Sequence, residues 1–520
     1  MDTTSHWLKT AALPVFPRLD RSVTVDVAVV GAGLTGITAA YLLKKAGLTV
    51  ALVERGRCAQ VDTGHTTAHL TAVTDLRLHD LQRRFSADAA RLVWQAGMVA
   101  IDRISALARA EEIECGFRRC PGYLHAAVPG ENINELKCEA EAAATLGIGA
   151  QFQPEVPLFG VPGVMFPDQA MFHPLLYLAG LVRKIPGAGS HVFEQTDAHE
   201  LTESGDGLKT KSGKIHFKHL VLATHNPLTG NTGLVSALLF QTKLSLYTSY
   251  ALSGRLPADT LPAGCYWDTA DPYHYLRVEK SGGHDLLVYG GGDHKTGQET
   301  DTVAVYARLE EKLRQFAPAA EVDARWSGQV IETNDGLPFI GETAERQFAA
   351  TGFSGNGMTF GTLGAMMAVD HVLGRANPWQ KLFNPHRKKF RGGTWTYLKE
   401  NKDYPALMVR DWLKPPEAGS LREVGPGEGK VVSFRGHKVA AYRDHRGRVS
   451  LCSAVCTHLQ CIVGWNPAEK TWDCPAHGSR FQTDGRVISG PAEEPLPRLS
   501  PATGRPLRAR RAAPAKKSSS

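Results

Sequence analysis

Val25-Asp26-Val27-Ala28-Val29-Val30-Gly31-Ala32-Gly33-Leu34-Thr35-Gly36 decides the fold of most of this chain. The valine-rich half reads as a buried strand, and it runs straight into a G-x-G-x-x-G turn. A helical stretch follows from Ile37 to Ala46, then a second strand, Thr49-Val50-Ala51-Leu52-Val53, ending at Glu54. In such a unit the glycines let the turn close and a pyrophosphate approach. The helix N-terminus meets the phosphate charge, and the acid accepts from ribose hydroxyls. Strand, helix, second strand and acid all fall at the required places. A dinucleotide is therefore expected on Gly31, Gly33, Leu34, Thr35, Gly36 and Glu54, with Arg55 beside them.

The later glycine cluster, Gly290-Gly291-Gly292-Asp293-His294-Lys295, fails as a second fingerprint because Lys295 stands where the third glycine belongs. One dinucleotide site is read. Its context resembles the D-amino acid oxidase superfamily, which includes glycine and sarcosine oxidases and related amine dehydrogenases. The resemblance recurs at Leu220-Val221-Leu222-Ala223-Thr224, at Thr333 to Gly341, and at Thr351-Gly352-Phe353-Ser354-Gly355-Asn356-Gly357-Met358. It implies FAD, with Ala223 and Thr224 on a strand returning to the nucleotide domain. Gly352, Phe353, Gly355, Asn356, Gly357 and Met358 would end a strand beneath the flavin and start a helix pointing at its ring. His65, Thr66 and Thr67 lie where the family chain passes the pyrophosphate and flavin. Some relatives attach flavin covalently through a histidine or cysteine; a hydrogen-bonded core role for His65 and His69 stands beside that reading. As metal ligands this H-x3-H pair has no third in view.

Near the C-terminus, Cys456-Thr457-His458 is followed after fifteen residues by Cys474-Pro475-Ala476-His477. Two thiolates and two imidazoles on facing loops suit a [2Fe-2S] centre with one iron on each pair, or a tetrahedral zinc. Zinc modules usually open on a C-x2-C or C-x4-C box, whereas each box here carries one Cys and one His. The stretch resembles the Rieske family at Cys456 to Cys461, at Cys474 to Ser479, and at Gly490-Pro491-Ala492, which matches its proline loop. That implies a [2Fe-2S] cluster on Cys456, His458, Cys474 and His477. High-potential respiratory members join the two loops by a disulfide; Cys461 stands at one half of it and Ala476 at the other, so it cannot form. Phe481 replaces a tyrosine whose hydroxyl raises the potential, while Ser479 is kept. The expected potential is nearer about −150 mV than about +300 mV.

A chain of 520 residues exceeds one core and suggests roughly three or four domains. Its formal charge of +7 invites a nucleic-acid reading, but Arg505, Arg508, Arg510, Arg511, Lys516 and Lys517 supply six of those charges, leaving +1 for the body. The Pro/Ala/Arg tail reads as a disordered solubilising end, with a weak acidic partner as the alternative. No signal peptide and no bilayer-spanning apolar run are read, so a cytoplasmic protein is expected. Nine scattered cysteines fit reduced thiols better than a disulfide framework.

The expected fold is an α/β FAD-binding Rossmann-type domain with an inserted α+β substrate domain, plus a C-terminal all-β Rieske domain. The FAD-binding domain is discontinuous over 1–75, 165–235 and 330–375. Segments 76–164 and 236–329 form the substrate domain. The first has helical periodicity at Asp88 to Arg109 and Asn134 to Leu146; the second has strand-like runs at Leu244 to Leu252, Tyr273 to Val278 and Leu286 to Tyr289. Residues 376–425 are a connector with a helix at Thr394 to Lys399, 426–502 the Rieske domain, and 503–520 the tail.

A flavin accepts an electron pair and releases electrons singly, and a [2Fe-2S] cluster carries one at a time. The chain resembles bacterial flavin oxidoreductases fused to a C-terminal Rieske domain. That resemblance bears on the cofactors and not on the substrate; with the likeness to the D-amino acid oxidase superfamily, the leading expectation is an amine or amino-acid dehydrogenase that passes electrons from FAD through the cluster to an external one-electron acceptor such as a ferredoxin, cytochrome or quinone. Relatives grip the substrate carboxylate with an arginine on the roofing sheet, a task suited to its planar fork. Arg277 is the candidate here, with Tyr275 on the same face, against a plain sheet arginine as the alternative. Two other readings stay open: the reverse flow, cluster to FAD to substrate, and a non-catalytic redox-sensing partner. A Rieske oxygenase is disfavoured, because no D-x2-H-x4-H run is found and the FAD motifs occupy the region it would need.

Overall fold

The valine-rich run becomes the strand Val27–Val30, buried along its whole length, and turns into the helix Leu34–Lys45. The helix starts before the expected Ile37 because the last residues of the glycine motif already carry helical backbone. This computed structural model describes residues 1–198, 200–202, 204–226, 243–387, 410 and 412–507. The chain forms two compact units, Met1–Asp403 and Tyr404–Ser520. The expected helix at Thr394 to Lys399 and most of the basic tail fall outside the described residues.

In the first unit a six-stranded sheet runs Phe339–Ala344, Gln347–Thr351, His219–Leu222, Val27–Val30, Val50–Val53, His191–Phe193. All neighbours are parallel except the first pair. Parallel strands are buried on both faces, which accounts for their unbroken apolar runs. Two glycines set the fit of the first helix on this sheet. A Cβ on Gly31, whose φ is +97°, would lie 2.4 Å from the Ala223 carbonyl oxygen, and one on Gly36 would lie 1.8 Å from the Gly31 oxygen. Only glycine lets the three backbones approach this closely.

A second, nine-stranded sheet is ordered Glu321–Thr333, Leu244–Pro257, His284–Lys295, Tyr275–Ser281, Gly264–Asp268, Arg118–His125, Gly163–Met171, His69–Leu70, with Gln151–Gln153 on the side of Gly163–Met171. The runs read at 244–252, 273–278 and 286–289 are its central strands, longer than their apolar patterns because glycine and charged residues extend them. The first insert holds the helices Ala87–Ala110 and Ile133–Thr145, and it also supplies Arg118–His125 to the sheet. That strand escapes a periodicity reading because Arg118, Arg119 and Pro121 interrupt its apolar residues. Gly163–Met171 straddles the position read as a boundary at 164/165 and belongs to this sheet.

The second unit is all β. A three-stranded sheet, Glu428–Phe434, His437–Arg443 and Val449–Ser453, accompanies a four-stranded one, Gly464–Asn466, Thr471–Asp473, Arg480–Phe481 and Val487–Ser489. Trp472, Phe481 and Leu496 fill a core that also buries Cys456, Cys461 and Cys474.

Candidate functional site

The nucleotide turn is assembled from four separate stretches of chain. Glu54, at the end of Val50–Val53, accepts from the amides of Ala32 at 2.9 Å and Gly56 at 2.7 Å, and burial raises its pKa. The Thr63 hydroxyl accepts from the Leu34 amide at 3.1 Å and stands 3.0 Å from where a Cβ on Gly33 would sit. Ala223 and Thr224 pack against Gly31, and Thr35 lies against Gly361 of the helix Gly357–Val372. Arg55 is exposed just beyond. This close-packed cradle of backbone amides at a helix start has the shape and polarity a pyrophosphate needs.

Residues 64–69 pass beside this turn, held from three directions. The Ser5 hydroxyl donates to the Gly64 carbonyl, the Trp7 indole to the Thr66 carbonyl at 2.6 Å, and the Trp326 indole to the His65 carbonyl at 2.9 Å. His65 Nδ1 pairs with the Val61 carbonyl at 2.7 Å. His69 contacts the Thr67 hydroxyl at 3.2 Å and the Leu276 carbonyl at 3.3 Å, and burial, helped by nearby Arg277, lowers its pKa to about 4. On the far side, Asn356 donates to the Val73 carbonyl at 2.8 Å and Thr359 to the Thr71 carbonyl at 2.9 Å, tying segment 352–358 to residues 71–75. Gly352 has φ +73°, Phe353 is half-buried, and Met358 is buried in the first turn of the following helix.

Tyr275 and Arg277 share a strand, and their surroundings differ. Arg277 is 1% exposed. Its guanidinium donates to the carbonyls of Ala68 at 3.0 Å and Phe172 at 2.9 Å, pairs with Glu279, and lies over the Trp7 ring. The two terminal nitrogens are spent on these partners, and Nε, though it has no hydrogen-bond partner, is enclosed by protein rather than open to a substrate carboxylate. The side chain expected as a clamp is placed as an internal tie instead.

Tyr275 faces a wall of polar groups. Its ring crosses the strand His284–Lys295 at Gly290, where a Cβ would come within 2.2 Å of the ring, and its hydroxyl meets Ser249 on the next strand at 2.6 Å. Ser249 also donates to Asp293 at 2.5 Å. Asp293 follows Gly291 and Gly292, both at positive φ, where the pairing with Leu244–Pro257 slips between Thr248 and Tyr250. Such a bulge re-aims a side chain. Tyr273, its ring 5.7 Å from that of Tyr275, donates to Asp75 at 3.1 Å, and Asp75 accepts from the Gly355 amide at 2.8 Å. Burial raises the Asp293 pKa to about 7; Asp75 adds to the rise, and the Ser249 hydrogen bond works against it. The wall thus runs from Gly355 and Asp75, through the two tyrosine rings, to Ser249 and Asp293.

In the second unit two loops of one design face each other. In the first, the Cys456 amide donates to the Cys461 carbonyl at 2.8 Å; in the second, the Cys474 amide donates to the Ser479 carbonyl at 2.8 Å. The rings of His458 and His477 are 5.0 Å apart at 87°. Burial lowers His458 to about 4 and His477 to about 3, which leaves both imidazoles neutral, the form that binds metal. A hydrogen bond with Cys474 lowers the Cys456 thiol. Ser479 Oγ accepts from the Ala492 amide of the proline loop at 3.0 Å, and Phe481 is fully buried. Two buried thiols and two neutral imidazoles are the donor set a Rieske cluster requires.

Residues 26–371 match the model of the DAO family, FAD dependent oxidoreductases, and residues 414–500 match the Rieske [2Fe-2S] domain. The chain belongs to the DAO family. As a DAO-family oxidoreductase with a C-terminal Rieske domain it binds FAD and a [2Fe-2S] cluster. It is 33% identical over 503 residues to YhfW of Bacillus subtilis (strain 168), a protein named for a Rieske 2Fe-2S centre, covering 95% of this chain and 97% of that one. It is 24% identical over 398 residues to the gamma-glutamylputrescine oxidoreductase of Escherichia coli (strain K12), covering 73% and 90%. The fold is similar to that of glycine oxidase from Geobacillus kaustophilus, with a TM-score of 0.60, 20% identity, and coverage of 71% of this chain and all of the other.

Several residues of this DAO-family site lie outside the sequence reading. Asp293 sits inside the glycine run rejected as a fingerprint, and a glycine pair within a strand pattern was the available sign of a bulge. Trp7 and Ser5 belong to an N-terminus read only for targeting signals. Asp75 and Ser249 carry no local motif; the sheet brings them to the wall.

Proposed function

We propose that this oxidoreductase removes a hydride from a C–N bond of an amine or amino-acid-like substrate and delivers the electrons, through its Rieske centre, to an external one-electron acceptor. The observation that carries the reading is the wall from Gly355 to Asp293, which puts hydroxyls and carboxylates beside the segment matching the family's flavin-contacting stretch. FAD supplies hydride acceptance, and the cluster supplies single-electron transfer. The chain has to bind and orient a substrate, exclude water, and leave the reacting amine as its free base. Tyr273 and Tyr275 suit the first two tasks. Both have pKa values raised by burial, so they stay neutral hydrogen-bonding groups.

In this reading Gly31, Gly33, Leu34, Thr35, Gly36, Glu54, Ala223 and Thr224 hold the nucleotide end of FAD. His65, Thr66, Thr67 and residues 352–358 line its flavin end, and Cys456, His458, Cys474 and His477 ligate the cluster. The similarity to gamma-glutamylputrescine oxidoreductase supports an amine substrate. None of the nine cysteines is paired in a disulfide, and the seven outside the cluster ligands are free thiols, which favours a reducing compartment such as the cytoplasm. Among the described residues no helix is long and apolar enough to cross a membrane.

Anaerobic mixing with candidate amines tests the direction of flow. Loss of the visible flavin band, followed by the EPR signal of a reduced cluster, is expected. If no amine bleaches the flavin while a reduced ferredoxin does, electrons run the other way.

A further inference from the structure

Asp293 is half-buried, so solvent still reaches the residue while burial raises its pKa. Among the described residues the one hydrogen bond its carboxylate accepts comes from the Ser249 hydroxyl, and no lysine, arginine or histidine pairs with it. Buried carboxylates are as a rule matched by a cation or by several donors. The nearest charged neighbours supply little match. Asp75 repels it, while His274, which attracts it, is itself engaged with Asp268 at 3.1 Å and Lys312 at 3.0 Å. Arg277, on the same sheet, is turned inward to Glu279.

The position of Asp293 is as informative as its isolation. Asp75 is bonded to Gly355, at the flavin end of the wall. Asp293 stands at the other end, beyond two aromatic rings whose faces suit a methylene chain and whose π-systems attract a cation. Gly290 has no side chain to block the Tyr275 ring, and the bulge at Gly291 and Gly292 turns Asp293 to the same side.

We infer that Asp293 is a specificity-determining residue that pairs with a second cationic group of the substrate, remote from the reacting C–N bond, so that the enzyme takes diamine-type substrates rather than amines ending in a carboxylate. This rests on the proposed C–N oxidation only in treating the wall as the substrate site.

Three probes of one chain length test it: 1,4-diaminobutane, n-butylamine and 4-aminobutyrate, whose far ends are cationic, neutral and anionic. Binding to the FAD- and cluster-loaded protein is followed anaerobically by calorimetry and by perturbation of the flavin spectrum. Wild type should bind diaminobutane at least about tenfold more tightly than butylamine, the scale of a hydrogen-bonded charge pair, and 4-aminobutyrate most weakly. Asp293→Asn, which keeps size and the bond to Ser249, should erase most of the diaminobutane advantage and leave butylamine nearly unchanged. Three results overturn the inference: equal or tighter binding of 4-aminobutyrate by wild type, no diaminobutane binding at millimolar concentration, or an Asp293→Asn loss as large for butylamine as for diaminobutane. The wild-type comparison needs no variant, so misfolding cannot mask the answer. If diaminobutane is preferred but no amine ever bleaches the flavin, C–N oxidation fails and the recognition stands. If butylamine bleaches it with no preference among far ends, the reverse holds.

Discussion

Arg277 and Glu279 lie two residues apart on one strand and pair side chain to side chain, with the Arg277 guanidinium also closed by the carbonyls of Ala68 and Phe172. Arg118 reaches Glu279 from outside at 2.8 Å. This tie joins the large sheet to residues 64–69 and to the start of the helix Pro174–Val182. Arg277→Met should lower stability by about 3 kcal/mol, at the low end for a broken buried pair because Arg118 still meets the carboxylate. Thermal denaturation checks it. A substrate clamp would instead leave the melting temperature alone and raise KM for carboxylate-bearing substrates.

Trp7 reaches the Thr66 carbonyl from the first helix of the chain, His6–Thr10. Trp7→Phe keeps an aromatic ring but leaves that carbonyl short of a donor, which costs about 1–3 kcal/mol. The expected result is earlier release of flavin on heating, seen as a rise in flavin fluorescence, with the EPR signal of the cluster unchanged. Equal release temperatures would mean that the N-terminal helix does not support the flavin loop.

For the cluster, Phe481 and Ser479 are opposite levers. Phe481→Tyr adds a hydroxyl where high-potential relatives have one and should raise the midpoint potential. Ser479→Ala removes a hydroxyl that meets the Ala492 amide and should lower it. Redox titration of the reduced-cluster EPR signal reads both. A clearly positive midpoint in the unaltered protein would contradict the potential expected from Phe481 and Ala476.

Asp293 also fixes a pH dependence. Its carboxyl titrates at about 7 in the fold and near 3.8 when unfolded, so in that window the folded state holds a proton that the unfolded chain has released. Stability therefore falls as pH rises from about 4 to about 7, through this group alone. Asp75 and His274 are the charged groups that face it, and Tyr273 and Tyr275 stay neutral throughout. Melting temperatures of Asp293→Asn and wild type, compared across that range, should diverge in favour of the variant and then run parallel. A constant difference would mean that Asp293 ionises normally.

The nucleotide sheet and the two Cys/His loops were legible because each depends on local spacing. Gly31 and Gly36 are set by close backbone approach, and each Cys-x-His or Cys-x-x-His box is held by one tight loop. The substrate wall was not legible to the same degree. Ser249, Tyr275 and Asp293 come from three neighbouring strands and meet only through sheet register, and the bulge that turns Asp293 is a property of the pairing. Arg277 shows the converse limit: strand alternation placed it on a face with Tyr275, but Glu279, Ala68 and Phe172 determined what its guanidinium does there.

The six-stranded sheet also sets a timetable for the nascent chain. Val27–Val30 leaves the ribosome early, but its neighbour His219–Leu222 arrives only after about half of the first unit has been made, and Gln347–Thr351 only near its end. At common translation speeds the first strand waits roughly 15–60 s for the sheet to be completed. During that interval its edge lies open, and the flavin segment at Gly352–Met358 has yet to emerge. FAD capture is therefore a late event in synthesis, and the amount of free FAD at that moment bears on how much of the chain escapes aggregation.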